Sequence, residues 1–200
     1  MAGAEQLVTW QGAAEADLLP LFQALQLALS RGGAAPERLT RAVAQAAARH
    51  ALPPALDAAA ETLASLVSVT ALPQRARAVA VRLSAERGQV VAARAAEVLL
   101  GRSEAFVSPY ARLAAQVLVW DSHREGAREG AGEGGATHKT FVRLRRAAEP
   151  RAHSRLEGTT LPIGQPFVIA GIACDGPGDP RLPWSERAWC GHILRYSKGG

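Results

Sequence analysis

Cysteine is scarce in this chain of 200 residues, and long hydrophobic runs are missing. The two cysteines, Cys174 and Cys190, exclude a disulfide scaffold and favour a cytosolic-type setting. There is no uninterrupted apolar run of about 18 residues, and the N-terminus lacks a basic region followed by an apolar stretch. We therefore expect no membrane span, no secretory signal and no membrane partner. Hydrophobic residues make up 48% of the chain, which is enough for a packed core.

Lysine is also rare, and the basic charge is unevenly placed. Residues 1–137 carry 13 basic and 13 acidic side chains, whereas residues 138–200 carry 10 basic and 5 acidic ones. The formal net charge of +5 therefore belongs to the C-terminal segment. Such a segment is typical of a solvated surface, which is the commoner case, or of a surface that binds nucleic acid or another acidic partner.

Residues 1–126 have the pattern of an all-helical region, because alanine is abundant and apolar residues recur at helical spacing. The first predicted helix runs from about Glu15 to Ser30. Ser108 and Pro109 predict the start of the last one, since they form an N-cap followed by proline. Proline and glycine predict breaks between shorter helices, at 31–35, 51–54, 71–73 and 87–88. This pattern indicates a compact helical bundle or hairpin array.

Residues 127–137 are rich in glycine and predict a flexible linker. The pattern then changes, because residues 140–144 alternate apolar and polar side chains as a half-buried strand does. Further short strands are expected within 156–161, 167–172 and 192–196, with one helical turn at 185–189. We therefore predict an α+β fold with three parts: a helical region at 1–126, the linker at 127–137, and a small basic module with short antiparallel strands at 138–200.

An ordered set of motifs lies between Glu149 and His192. It comprises an arginine close before His153, the turn Leu156-Glu157-Gly158, a strand containing Phe167, the turn Pro177-Gly178-Asp179, and Glu186 shortly before Cys190-Gly191-His192. From Tyr110 to Tyr196, this order resembles the C-terminal region of the phage Mu F-type head morphogenesis proteins. In that family a second cysteine stands where this chain has His192.

The resemblance implies a minor head protein of a phage or prophage, without enzymatic activity, that acts in head morphogenesis near the portal. It implies portal and capsid proteins as partners, DNA as a further partner, and no small-molecule substrate. The location would be the virion, or the bacterial cytoplasm for a prophage-encoded protein. The basic module would present a set of arginines to its acidic partner, namely Arg143, Arg145, Arg146, Arg151 and Arg155.

Histidine and cysteine in the same segment predict a metal site. His153, Cys190 and His192, with Cys174 as the weakest member, form a two-Cys, two-His set of the kind that zinc binds. Cys190 and His192 point to the same face if their segment is a strand, because side chains alternate along a strand. The alternative interpretation makes Cys190 a small buried hydrophobe and His192 a surface residue.

Two other functions remain open at this stage. The module could be a small metal-stabilised nucleic-acid-binding domain unrelated to virions. It could also be an RNase-like effector that uses His138, His153 and Glu149 for proton transfer. Thiol catalysis by Cys190 is disfavoured, since the sequence identifies no carboxylate that would orient a catalytic base.

Overall fold

A computed structural model describes residues 3–32, 34–67, 72–144 and 151–199. Four long helices come first, and a small antiparallel sheet region follows, so the predicted α+β fold is confirmed. The long helices are α1 (Ala4–Ser30), α2 (Glu37–Leu66), α3 (Leu72–Leu99) and α4 (Val107–Gly134). A 3-10 turn at Glu104–Phe106 leads into α4, which begins just before the predicted Ser108-Pro109 start. None of the helices in these ranges is long and apolar enough to cross a membrane.

The helices pack through stripes of apolar residues at helical spacing. On α1 the buried residues are Leu7, Ala14, Leu18, Phe22, Leu25 and Leu29, so the helix begins well before the predicted Glu15. On α2 the buried stripe is mostly alanine, which lets neighbouring helices approach closely.

Two of the predicted helix breaks are wrong. α2 continues through Pro53 and Pro54, and α3 continues through Gly88. Proline removes a helical hydrogen bond, but α2 packs along both α3 and α4, and this burial outweighs the local loss. At Gly88 a Cβ would lie 3.1 Å from the Cβ of Ala48 and closer still to the carbonyl oxygen of Ala44. Glycine therefore serves close packing at this position.

The predicted flexible linker at 127–137 is also wrong, because residues 127–134 are the last two turns of α4. Gly126 faces Ala55, Gly130 faces Ala59, and Gly134 faces Leu66, so the glycines form the contact between α4 and α2. Gly135 ends the helix in the left-handed region with a φ of 67°. Ala136 and Thr137 then lead directly into the sheet.

Within residues 138–144 and 151–199, the sheet region contains five short strands. These are β1 (His138–Arg143), β2 (Thr160–Pro162), β3 (Phe167–Ile169), β4 (Ile172–Cys174) and β5 (His192–Ser197), and a short helix α5 (Trp184–Arg187) precedes β5. β1 lies between β2 and β5, and it is antiparallel to both. The single strand predicted at 167–172 is instead the hairpin β3–β4, which turns at Ala170 and Gly171 with positive φ angles of 51° and 78°.

β5 attaches the sheet to the helices. Ile193 packs in one apolar cluster with Leu7 of α1 and with Ala115, Val119 and Trp120 of α4. Beside this cluster, Arg124 of α4 donates hydrogen bonds to the carbonyl oxygens of Cys190 (2.7 Å) and His192 (3.1 Å). These hydrogen bonds hold the start of β5 against α4. Two of the predicted ligands, Cys190 and His192, lie here.

Candidate metal centre

Three of the four predicted ligands come together in one buried cluster. The Nε2 of His153 lies 3.1 Å from the Nδ1 of His192 and 3.3 Å from the Sγ of Cys190. The third side of this triangle, from Cys190 Sγ to His192 Nδ1, measures 3.6 Å. All three residues are buried, with exposed fractions of 0% for His153 and 1% for Cys190 and for His192. A buried group with this arrangement could hold a metal ion.

The triangle has the size that a tetrahedral ion requires. Zinc binds nitrogen at about 2.0–2.1 Å and sulfur at about 2.3 Å, so its ligand atoms lie roughly 3.3–3.6 Å apart. The distances in the cluster, from 3.1 to 3.6 Å, are close to this range. An ion would therefore need only small movements of the three side chains.

Each histidine also contacts a carboxylate through the ring nitrogen that faces away from the triangle. His153 Nδ1 lies 2.5 Å from the Oε2 of Glu186, and His192 Nε2 lies 2.9 Å from the Oε1 of Glu157. Arg143 donates from Nε to the same Glu157 oxygen at 2.6 Å. A carboxylate on the outer nitrogen fixes the tautomer of a ligating histidine, so that its other nitrogen offers a lone pair to the metal.

The local chain path brings these side chains together. His153 lies in a 3-10 turn at Ala152–Leu156, and Glu157 caps the end of that turn. Glu186 belongs to α5, and Trp189 then bends the chain with a φ of 58°, in the left-handed region that non-glycine residues rarely adopt. This bend directs Cys190 back towards His153.

The electrostatics favour the protonation states that a metal needs. Burial raises the pKa of the Cys190 thiol, but the hydrogen bond with His153 and the charge of Arg124 outweigh burial and hold that pKa below its usual value. Burial lowers the pKa of His192. Metals bind thiolate and neutral imidazole, so both shifts favour binding.

The pKa of Glu157 is also shifted in the direction that favours metal binding. Burial raises the pKa of its carboxyl group, but the hydrogen bonds from His192 and Arg143 outweigh this effect and lower the pKa below its usual value. The carboxylate form that accepts the His192 hydrogen bond is therefore favoured. His192 can then present the neutral imidazole nitrogen to a metal.

Cys174 does not join the centre, which corrects the prediction of a fourth ligand. Its side chain is fully buried in an apolar cluster with Phe141, Phe167, Ile169 and Leu182. Burial raises the pKa of the Cys174 thiol, so the protein favours its neutral form there. Cys174 lies opposite Phe167 in the β3–β4 pair. Because side chains alternate along β4, the side chain of Cys174 points into the core.

The five predicted partner-binding arginines have different environments. Arg143 pairs with Glu157, and Arg151 donates to the carbonyl oxygen of Ser185, so both help to build the centre. Arg155 is exposed. Arg145 and Arg146 lie outside the described residues.

Sequence reasoning missed three residues around the centre. Glu157 and Glu186 belong to the motifs that carry the family resemblance, but no role was predicted for them. Arg124, which holds the backbone at Cys190 and His192, lies in the predicted helical region, and no sequence signal connected it to the ligands.

Comparison of the chain with protein-family models, with curated proteins and with solved structures finds no match. The functional interpretation therefore depends on the geometry of the centre.

Proposed function

We propose that His153, Cys190 and His192 bind a structural zinc ion that holds together the C-terminal module. The observation that carries this proposal is the triangle of ligand atoms, together with a carboxylate on the outer nitrogen of each histidine. A mixed set of thiolate and imidazole ligands suits zinc. The three ligand residues are buried and line neither the cavity of about 540 Å³ nor that of about 120 Å³, which supports a structural role. Because the protein supplies three ligands, water or another group would take the fourth position of a tetrahedral ion.

The module has physical reasons to need such an ion. Its strands are between three and six residues long, and its apolar cluster is a small one centred on Phe141 and Phe167. A unit of this size buries little apolar surface, and small domains are often stabilised by metals. The ion would connect the 3-10 turn of His153 to the start of β5, which no backbone ladder joins directly.

We further propose that the chain is a non-enzymatic minor head protein of a phage or prophage, contacting portal and capsid proteins. The resemblance to the Mu F-type family rests partly on His153, Glu157, Glu186 and Cys190, and His192 stands where the family has a second cysteine. These five residues, dispersed over 40 positions of the sequence, surround a single point of the fold. This convergence supports the interpretation that these residues are the signature of a single module, which a metal ion stabilises.

The structural zinc is tested by removing it from the full chain. Hydrogen exchange measured with and without a chelator should show faster exchange in residues 151–199 after chelation, while α1 to α3 stay protected. Cys190→Ser should have the same effect without chelator. Cys174→Ser is the matched control, since it removes the other buried thiol and leaves the centre intact. Unchanged exchange after chelation would refute a structural ion.

The head-assembly role needs a separate experiment. The proposal predicts that portal and major capsid genes lie beside the gene of this chain. The chain should be co-expressed with the two proteins they encode, and the particles should be separated by sedimentation. We expect the chain to sediment with portal-containing particles and to remain in the soluble fraction when the portal is omitted. Binding to DNA alone, without association with portal or capsid, would favour the alternative of a metal-stabilised nucleic-acid-binding module.

A second candidate function, thiol chemistry, is supported by one observation. Cys190 Sγ lies 3.3 Å from His153 Nε2, and His153 Nδ1 lies 2.5 Å from Glu186 Oε2, in the order of nucleophile, base and orienting carboxylate. Iodoacetamide distinguishes the two candidates. A structural zinc protects Cys190 from alkylation until a chelator is added, whereas a catalytic thiol reacts in the protein as purified.

A further inference from the structure

A second feature of the molecule lies outside the metal centre. An open cavity of about 540 Å³ lies where the turn at 175–181 and β5 approach α3 and α4. Its volume is in the range of small-ligand sites, which is about 300–1,000 Å³. One part of its wall is apolar, formed by Pro177, Pro180 and Leu194. The rest is dominated by charged side chains.

Arginines outnumber acidic residues in this wall. The cavity is lined by Arg87, Arg124, Arg128, Arg181 and Arg187, and by Asp121, Glu125, Asp175 and Asp179. Three arginines are satisfied by close acidic partners. Arg87 pairs with Glu125 at 2.8 Å, Arg124 with Asp121 at 2.9 Å, and Arg181 with Asp179 at 2.6 Å.

Arg128 and Arg187 have much weaker pairing. Arg187 is 3.9 Å from Asp121, whose other oxygen already accepts from Arg124. Arg128 is 3.9 Å from Glu129, which already accepts from Arg82 at 2.7 Å. In the described part of the chain, the buried Nε of Arg187 has no hydrogen-bond partner. A buried donor without an acceptor is costly, so no partner in the described residues holds the Arg187 side chain tightly.

The turn at 175–181, which lines one side of the cavity, is held by hydrogen bonds and close packing. Asp179 accepts hydrogen bonds from the backbone N–H groups of Asp175 and Arg181, each at 2.9 Å. Gly178 has a φ of 82°, and a Cβ there would lie 2.7 Å from the Nη1 of Arg124. The turn therefore packs directly on the Asp121–Arg124 pair.

We propose that this cavity binds a phosphate group, with Arg187 and Arg128 as its cationic partners. A guanidinium offers several N–H donors in a planar fork, and this arrangement suits a phosphate or carboxylate oxyanion. The cavity is larger than one phosphate, and its apolar wall of Pro177, Pro180 and Leu194 fits the organic part of a phosphorylated small molecule. This proposal does not depend on the metal centre or on the proposed head-assembly role.

Calorimetric titration of the full chain as purified tests the proposal, with inorganic phosphate and adenosine monophosphate as probes at constant ionic strength. We expect saturable binding of at least one probe. Binding of phosphate alone identifies a free anion as the ligand, and tighter binding of the nucleotide identifies a phosphorylated small molecule. No saturable heat for either probe, relative to matched chloride, would overturn the proposal.

Two variants locate the bound group. Arg187→Gln should weaken binding about tenfold, and Arg128→Gln should weaken it to a smaller extent because Arg128 is more exposed. Arg128 lies on the surface, so its variant keeps the proposal testable if Arg187→Gln fails to fold. Arg41→Gln is the control, since Arg41 pairs with Glu37 on α2 and does not line the cavity. Equal affinity in the protein and in both cavity variants would place the anion elsewhere and refute the site.

Discussion

Gly126 of α4 lies directly against the backbone of Ala55 in α2. A Cβ on Gly126 would lie 2.8 Å from the Cα of Ala55 and closer still to its carbonyl oxygen. The same relation recurs one turn later, where a Cβ on Gly130 would lie 3.1 Å from the Cα of Ala59. The glycine-rich stretch therefore holds α2 and α4 together, and this contact sets the position of the helix on which the sheet module rests.

Substitution of these glycines tests that packing. Gly126→Ala should lower the free energy of unfolding by roughly 1–3 kcal/mol, because the added methyl group overlaps the backbone of Ala55. Gly132→Ala is the matched control on the same helix, since nothing lies within 4 Å of a Cβ there. This control should raise the free energy of unfolding by about 0.5–1 kcal/mol, since alanine is the better helix former. Equal effects in urea denaturation would contradict the close contact.

Limited proteolysis distinguishes a packed helix from a flexible linker. Trypsin should cut after Arg31 or Arg102, which lie in the connections between helices, before it cuts after Arg128 within α4. Mass spectrometry of the first fragments gives the order of cleavage. Early cleavage after Arg128 would indicate that residues 127–137 form a flexible linker.

Much of the fold could be predicted from patterns that short segments carry by themselves. The helical stripe of α1, the alternation of β1 and the short β5 strand are local, so the sequence predicts them correctly. Gly88, Pro53 and the glycines of α4 were misinterpreted, because composition does not reveal whether a glycine faces solvent or a neighbouring helix. The four-residue spacing of Gly126, Gly130 and Gly134 is the signal that places them on one helical face.

Part of the candidate centre could also be predicted from patterns that short segments carry by themselves. Residue type and strand alternation identified Cys190 and His192, and residue type alone identified His153. Cys174 is also of a residue type that binds zinc, but it packs among the apolar side chains of the β3–β4 hairpin and belongs to the core. The outer carboxylates depend on the positions of α5 and the 3-10 turn relative to β5, which is tertiary information.

The outer carboxylates should tune metal affinity. Glu186→Gln and Glu157→Gln should each weaken zinc binding about 10- to 100-fold, because each replaces the carboxylate that orients a ligating histidine by a neutral amide, whose oxygen is a weaker acceptor. Competition with a chromophoric chelator measures this affinity. Glu97→Gln on α3 is the control, since Glu97 pairs with Arg94 on the same helix. Unchanged affinity in both test variants would show that the carboxylates do not orient the ligands.

His123 predicts a specific pH dependence of stability. This histidine is buried on α4, with neither ring nitrogen hydrogen-bonded to a described residue, and burial lowers its pKa to about 4. The unfolded chain has the higher pKa, near 6.5, so it takes up the proton first as the pH falls. The contribution to stability is therefore unchanged above about pH 6.5 and is lost progressively down to about pH 4, by roughly 3 kcal/mol in total.

His123→Leu should flatten this dependence. Urea denaturation of both proteins between pH 7 and pH 4 gives the comparison. The difference between the two curves isolates His123, because His153, Cys190 and His192 are present in both proteins. Parallel curves for the two proteins would mean that His123 does not titrate as its burial requires.

The metal content of the full chain, purified without chelator, tests the central claim most directly. Elemental analysis should find about one zinc per chain in the unmodified protein and in Cys174→Ser, and almost none in Cys190→Ser. A content below about a tenth of a zinc per chain in the unmodified protein would contradict the account. His153, Cys190 and His192 would then form a hydrogen-bonded buried cluster without a metal.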